Sequence, residues 1–178
     1  VRVDDCEDNA AYAIEVNALG AGYVAQATEE VGAVCVYIST DYVFDGQKNS
    51  PYFENDPAYP INIYGISKLS GEHMVRSYNA QNFIIRSSGL YGLAGSSGKG
   101  GNFVNTIITC AKDGKPLNVV GDQVLSPTFT KDLSEAITDL IETSKFGTYH
   151  VSNSGKCSWY EFAKKILSIT GLSTELNC

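Results

Sequence analysis

The chain has 178 residues, 43% of them hydrophobic and 19% charged, with a formal net charge of −7. That composition supplies a core for one globular domain or slightly more, and the acidic balance argues against nucleic acid as a partner. No apolar run approaches the roughly 18 residues of a membrane span, and Val1-Arg2-Val3-Asp4-Asp5 lacks the apolar core of a secretory signal, so no membrane partner is expected.

In chain order, Asp4-Asp5-Cys6-Glu7-Asp8-Asn9 leads into a helix with no strand before it. Residues 10–31 then carry helical spacing through Ala13, Val16, Ala18, Leu19, Val24 and Ala27. Residues 33–39 predict a short buried strand, too β-branched for a helix. Residues 45–62 hold Gly46, Asn49, Pro51, Asn55, Pro57 and Pro60 and read as a long surface loop, a length that usually serves function. A helix is predicted from about Ile63 to Tyr78, and a buried strand at Phe83-Ile84-Ile85-Arg86.

Six glycines and four serines over 87–101 predict a mobile loop acting as a lid. A helix at 102–112, a strand at 117–120, a rigid turn at Ser126-Pro127-Thr128, a helix at 131–143 and a strand at 148–152 follow. The last helix spans Trp159–Ile169, with Ser158 and Glu161 spaced as a capping box. Strands alternate with helices throughout, which places the chain in the α/β class with a mainly parallel sheet.

Five cysteines (Cys6, Cys35, Cys110, Cys157 and Cys178) are odd in number and never spaced C-x-x-C. This predicts free thiols in a reducing, cytoplasmic compartment rather than disulfides or zinc. His73 and His150 stand alone, so no metal site is expected.

Two adjacent blocks carry the chemistry. Ser39-Thr40-Asp41-Tyr42-Val43-Phe44-Asp45 follows the apolar run Val34–Ile38, so a strand delivers the Thr40 hydroxyl at its carboxyl end. Tyr64-Gly65-Ile66-Ser67-Lys68 then puts a phenol and an ammonium four residues apart, on one helix face and about 5–6 Å apart at Cβ. A hydroxyl, a phenol and a cation suit reduction of a carbonyl. Tyr64 would give its proton to the oxygen, Lys68 would pull the phenol pKa down from about 10, and Thr40 would hold the same oxygen. A lone Y-x-x-x-K also arises on ordinary amphipathic helices, so the strand-end Ser-Thr and the long loop give this one its weight.

Two glycine motifs fail on context. Gly92–Gly100 has Leu93 where a phosphate loop needs its first glycine, and Gly100 where Ser or Thr should follow Lys99. Gly20-Ala21-Gly22-Tyr23-Val24-Ala25 matches G-x-G-x-x-A, with Asp41 about twenty residues on, but helix rather than strand precedes it.

Together, Ser39–Gly46 and Tyr64-Gly65-Ile66-Ser67-Lys68-Leu69-Ser70-Gly71-Glu72 resemble the extended short-chain dehydrogenase/reductases. Within these the chain is similar to the dTDP-4-dehydrorhamnose reductase family. Arg86-Ser87-Ser88, Gly121-Asp122-Gln123, Ser126-Pro127-Thr128 and Gly147-Thr148-Tyr149-His150 extend the likeness nearly end to end.

The resemblance implies a Rossmann-like, doubly wound parallel sheet lacking its first βα units, roughly 60 residues in all. It also implies a small C-terminal α/β substrate-binding part. Residues 1–178 would form one incomplete NAD(P)-binding domain, with substrate-binding segments interleaved at about 88–128 and 148–178. The resemblance further implies NADPH or NADH as cofactor and, as reaction, reduction of the 4-keto group of a nucleotide-linked deoxysugar, dTDP-4-dehydrorhamnose to dTDP-rhamnose, in dTDP-rhamnose biosynthesis. By matching position the catalytic trio is Thr40, Tyr64 and Lys68. Asn17, Ser39, Tyr64, Lys68, Ser87 and Ser88 lie by the cofactor; Thr40, Asp41, Tyr42, Val43, Ser126 and Thr128 lie by the substrate.

The sequence leaves the oligomeric state open, with a homodimer as one candidate. Gly89 stands where some members carry a tryptophan, which removes an aromatic platform. Two alternatives stay open. One is a non-catalytic dinucleotide-binding subunit resembling the regulatory β subunit of methionine adenosyltransferase. The other is a reductase or epimerase for a different nucleotide sugar.

Overall fold

The fold is taken from a computed structural model that describes residues 2–95 and 101–178. Residues 96–100, the centre of the glycine-rich stretch expected to act as a lid, lie outside the described residues. The chain divides into two compact units, Val1–Ser87 with Glu135–Val151 and Ser88–Ser134 with Ser152–Cys178.

The first unit opens with two short helices, α1 (Val3–Asp8) and α2 (Ala10–Ile14). A π-helical turn (Glu15–Leu19) runs straight on into α3 (Gly20–Glu30), so Gly20–Ala25 is helix and not a strand-to-helix turn. β1 (Cys35–Thr40) ends in a 3-10 turn (Asp41–Val43), and α4 spans Ile63–Tyr78. The Asn62 side chain caps α4 by accepting from the Gly65 N–H at 2.7 Å. β2 (Asn82–Ser87) is the central strand, flanked in parallel by β1 and by β7 (Gly147–His150). Phe83, Ile84 and Ile85 are completely buried, as a middle parallel strand covered on both faces requires.

β1 is less buried than its apolar run suggests. Cys35, Ser39 and Thr40 are buried, but Ile38 is 37% exposed. The reason is position: β1 pairs with β2 on one side, and among the described residues no strand pairs with its other edge.

The long segment after the 3-10 turn is tied down rather than loose. The Tyr52 hydroxyl donates to Asp45 Oδ1 at 2.6 Å, and Tyr52 stacks on Phe44 with ring centroids 4.3 Å apart. The His150 N–H donates to Glu54 Oε1 at 2.9 Å, which fastens the segment to β7.

In the second unit, β3 (Leu90–Tyr91) pairs in parallel with β6 (Thr128–Phe129), so the glycine-rich loop begins with a strand. α5 (Phe103–Lys112) and α7 (Trp159–Thr170) share a core of Ile107, Ala111, Leu117, Ala163, Ile166 and Leu167. β4 (Leu117–Asn118) runs parallel to β9 (Leu176–Asn177), and β5 (Val124–Leu125) antiparallel to β8 (Cys157–Ser158). The Ser158/Glu161 capping box forms with both reciprocal bonds, 3.1 and 2.8 Å. α6 (Thr130–Ile141) is divided, its residues up to Ser134 belonging to the second unit and those from Glu135 to the first.

Among the described residues no helix is long and apolar enough to cross a membrane, and no His, Cys, Asp or Glu cluster could hold a metal ion.

Candidate active site

The parallel register aligns Thr40, at the carboxyl end of β1, with Ser87, at the carboxyl end of β2. Both are buried, at 6% exposure each. Ligands of open parallel sheets bind at the carboxyl ends of strands. The Thr40 hydroxyl donates to Asp41 Oδ1 at 3.2 Å and accepts from the Tyr42 N–H at 3.2 Å, so the 3-10 turn holds it in place.

α4 brings Tyr64 to the same place. Burial raises the Tyr64 phenol above its ordinary pKa, and hydrogen bonding with Thr40 offsets part of that rise. The neighbouring Asp41 works in the raising direction. The downward shift expected from Lys68 is therefore replaced by an upward one, because desolvation dominates. The Tyr42 ring meets Tyr64 edge-on at 5.7 Å.

Lys68 lies one turn further along α4. Burial lowers its ammonium to about pKa 8, against an opposing pull from Glu72. Among the described residues no carboxylate pairs with Lys68. Its Nζ sits 4.1 Å from the centroid of the Tyr37 ring.

Asn17 occupies the π-helical turn. Its Nδ2 donates to Ser67 Oγ at 2.9 Å, and Ser67 Oγ donates to the Tyr64 carbonyl at 2.8 Å. A cavity of about 300 Å³ opens beside Asn17, Tyr37 and Lys68 and is bounded by Val16, Val24 and Val36.

Beneath these groups lies a buried ionic cluster that the motif reading did not single out. Glu72 is completely buried and receives two bonds from Arg86, Nε to Oε1 at 2.8 Å and Nη2 to Oε2 at 2.7 Å. Ser39 Oγ donates to Glu72 Oε1 at 2.6 Å, so this expected cofactor residue spends its hydroxyl on the cluster. Arg76 adds a bond to Glu72 Oε2 at 3.0 Å and reaches Thr148 Oγ1 at 2.9 Å. Burial favours neutral Glu72, but the bonds from Arg86 and Ser39 and the two guanidinium charges outweigh it, holding the carboxyl below its usual range. The sequence did carry a signal: Arg86 ends an all-apolar buried run, and a buried charge needs a partner.

The other expected site residues divide between the units. Val43 is completely buried, so its side chain belongs to the core. In the second unit, Ser88 Oγ accepts from the Ser126 N–H at 3.4 Å. Ser126 Oγ donates to the Gly155 carbonyl at 2.8 Å, and Thr128 Oγ1 to the Ser126 carbonyl at 2.9 Å, so both hydroxyls are spent on loop structure. Gly89 has φ +54°, and a Cβ there would stand 2.5 Å from Leu125 Cδ1. Leucine packing fills the place where a larger side chain would start.

Ser87 Oγ is buried at the strand end without a hydrogen-bond partner, a condition native structures rarely leave unanswered. Together with the Lys68 ammonium, it offers two unspent polar groups in the first unit, which fits a ligand rich in hydroxyl and amide groups.

The model of the RmlD substrate binding domain matches residues 1–177. The chain is 47% identical to the spore coat polysaccharide biosynthesis protein SpsK of Bacillus subtilis strain 168, over 98% of this chain and 59% of that protein. It is 36% identical to dTDP-4-dehydrorhamnose reductase of Escherichia coli strain K12, over 90% of this chain and 54% of that protein. The crystal structure of dTDP-4-dehydrorhamnose reductase from Bacillus anthracis in complex with NADP superposes with a TM-score of 0.92 at 47% identity, covering 99% of this chain and 61% of that one. The chain thus spans little more than half the length of these relatives.

Proposed function

Since this chain belongs to the RmlD substrate-binding-domain family and has its Rossmann-like α/β fold, we propose that the protein reduces the 4-keto group of dTDP-4-dehydrorhamnose to give dTDP-rhamnose. The observation that carries the proposal is the meeting of Thr40 with Tyr64 at the carboxyl end of β1, one helical turn from Lys68. NADPH or NADH, when bound, supplies the hydride to the sugar C4.

The chain's own residues do the rest. Tyr64 gives its phenolic proton to the ketone oxygen as the carbon takes up hydride, so ketone plus hydride plus proton becomes alcohol. The raised Tyr64 pKa keeps that proton in place at neutral pH. Thr40, turning its hydroxyl proton away from Asp41 Oδ1, donates a hydrogen bond to the same oxygen, where negative charge develops. Lys68, still mostly protonated at neutral pH, is the cation available to the phenolate left behind and to a ribose hydroxyl. Ser87 Oγ takes a polar group of the nicotinamide half, which completes its hydrogen bonding. Ser39 and Asn17 act on the cofactor side through the helix they anchor.

Within the first unit we assign Asn17, Ser39, Tyr64, Lys68 and Ser87 to the dinucleotide and Thr40, Asp41, Tyr42 and the Val43 backbone to the sugar nucleotide; within the second unit we assign Ser88 to the cofactor and Ser126 and Thr128 to the substrate. A homodimer is part of the proposal. Its support is the exposure of Tyr12, Val16, Leu19 and Tyr23 along the N-terminal helices, and sedimentation of the intact protein tests it.

The experiment is reduction of dTDP-4-dehydrorhamnose by the intact protein with NADPH and with NADH, the product identified by NMR. A dTDP-rhamnose product dependent on reduced nicotinamide is expected. Failure to consume either cofactor in the presence of the keto sugar would overturn the proposal.

A further inference from the structure

Tyr37 lies on β1, three residues before Thr40, and points under α4. Its hydroxyl donates to the Asn17 carbonyl at 2.9 Å, with the Lys68 carbonyl a second acceptor at 3.3 Å. Asn17 falls in the π-helical turn, where the regular i→i+4 ladder is interrupted. Its carbonyl is thereby linked to a strand as well as to its own helix. The close approach depends on Gly71, because a Cβ there would lie 2.3 Å from both the Asn17 carbonyl oxygen and the Tyr37 hydroxyl. The Lys68 ammonium rests on the face of the same ring, 4.1 Å from its centroid. An ammonium at that distance is attracted by the ring quadrupole.

We propose that Tyr37 is a positioning residue for the reduction: its ring face carries the Lys68 ammonium, and its hydroxyl, tied to Asn17, fixes that ring in place. The inference rests on the reductase reading, because it gives Lys68 its purpose.

Several groups besides Tyr37 face Lys68. Glu72 and Tyr64 lie one turn away on α4 on either side of it, and Asn17, its amide bonded to Ser67 Oγ, lines the same cavity. Arg86 of β2 and Arg76 of α4 pair with Glu72 and moderate its pull. Burial raises the Tyr37 phenol itself, helped by Glu72 and Tyr64, so the ring stays neutral while Lys68 titrates.

The test is the titration of the Lys68 ammonium by heteronuclear NMR on the intact protein without cofactor or substrate. The resonance is assigned by its loss in Lys68→Met. Tyr37→Phe keeps the ring but frees it from Asn17, so the Lys68 pKa should fall by a few tenths of a unit, less than in Tyr37→Leu. Tyr37→Leu removes the ring and should lower it by about half a unit to one and a half units. Where the leucine variant does not fold, phenylalanines carrying successive fluorines at position 37 keep the volume and weaken the quadrupole, and the pKa should fall stepwise.

A titration unchanged in Tyr37→Leu, or flat across the fluorine series, overturns the proposal. Because this readout needs no turnover, failure of the reductase reading shows separately, as wild-type protein that does not reduce the keto sugar. In turnover, Tyr37→Leu should move the basic limb of the kcat/KM profile to lower pH, whereas a purely structural role would lower stability and leave that limb in place.

Discussion

The Glu72 carboxylate faces Arg86 side-on, with Oε1 2.8 Å from Nε and Oε2 2.7 Å from Nη2, and neither side chain exceeds 6% exposure. The pair joins the helix that carries Tyr64 and Lys68 to the central strand that carries Ser87. Removing one charge of a buried pair leaves the other uncompensated. Glu72→Gln should therefore destabilise the protein by about 3–5 kcal/mol, read as a fall in the urea midpoint with the slope unchanged. An unchanged midpoint would contradict the cost of leaving the buried Arg86 charge without its partner.

The same carboxylate sets an acid limb. Its folded pKa is depressed below the ordinary value of 4.5, so the unfolded chain binds its proton first. The stabilisation is fully present above the unfolded value and is lost as pH falls through the folded one. Thermal midpoints recorded from about pH 6 down to about pH 3 should drop more steeply in wild type than in Glu72→Gln. Parallel curves would assign the acid limb to other groups.

Gly71 stands where the Asn17 carbonyl and the Tyr37 hydroxyl close on α4. Gly71→Ala puts a methyl 2.3 Å from each, and overpacking of this kind carries a penalty of about 1–3 kcal/mol. Part of the damage should appear in function, as a weaker hold on reduced nicotinamide in a cofactor titration. An alanine variant with wild-type stability and affinity would show that the helices do not need this approach.

Burial of the Lys68 ammonium works against stability. Burial has moved its pKa down from 10.5 to about 8, so at neutral pH folding must keep a disfavoured charge. Between those two values the folded protein has released a proton that the unfolded chain still holds, and stability rises with pH. Lys68→Met should raise the thermal midpoint at neutral pH, and its advantage over wild type should shrink toward about pH 10. Loss of reductase activity should accompany it. A lower midpoint at neutral pH would contradict this account of Lys68.

Much of the frame was legible in the residues. The helix expected from about Ile63 to Tyr78 is α4, the Ser158/Glu161 spacing marks the start of α7, and the Ser39–Gly46 and Tyr64–Lys68 blocks bring Thr40 and Tyr64 together. The G-x-G-x-x-A match at Gly20–Ala25, which lacks a preceding strand in the sequence, lies inside helix.

What was not legible depends on pairing across the sheet. Nothing local says that Thr40 aligns with Ser87, that β1 has an open edge, or that Tyr37 reaches the Asn17 carbonyl. A π-helical turn has no sequence signature of its own. The direction of the Tyr64 shift was misjudged because spacing shows that Lys68 is near and shows nothing of how deeply the phenol is buried.

The central claim is that the Tyr64 phenol is the acid that completes ketone reduction. Its most direct test is the single-turnover rate of NADPH oxidation with dTDP-4-dehydrorhamnose in Tyr64→Phe, alongside the dissociation constant for NADPH. The account predicts a rate lower by about 10²–10⁴-fold, with NADPH affinity within a few-fold of wild type. A phenylalanine variant that reduces the keto sugar at the wild-type rate would contradict it.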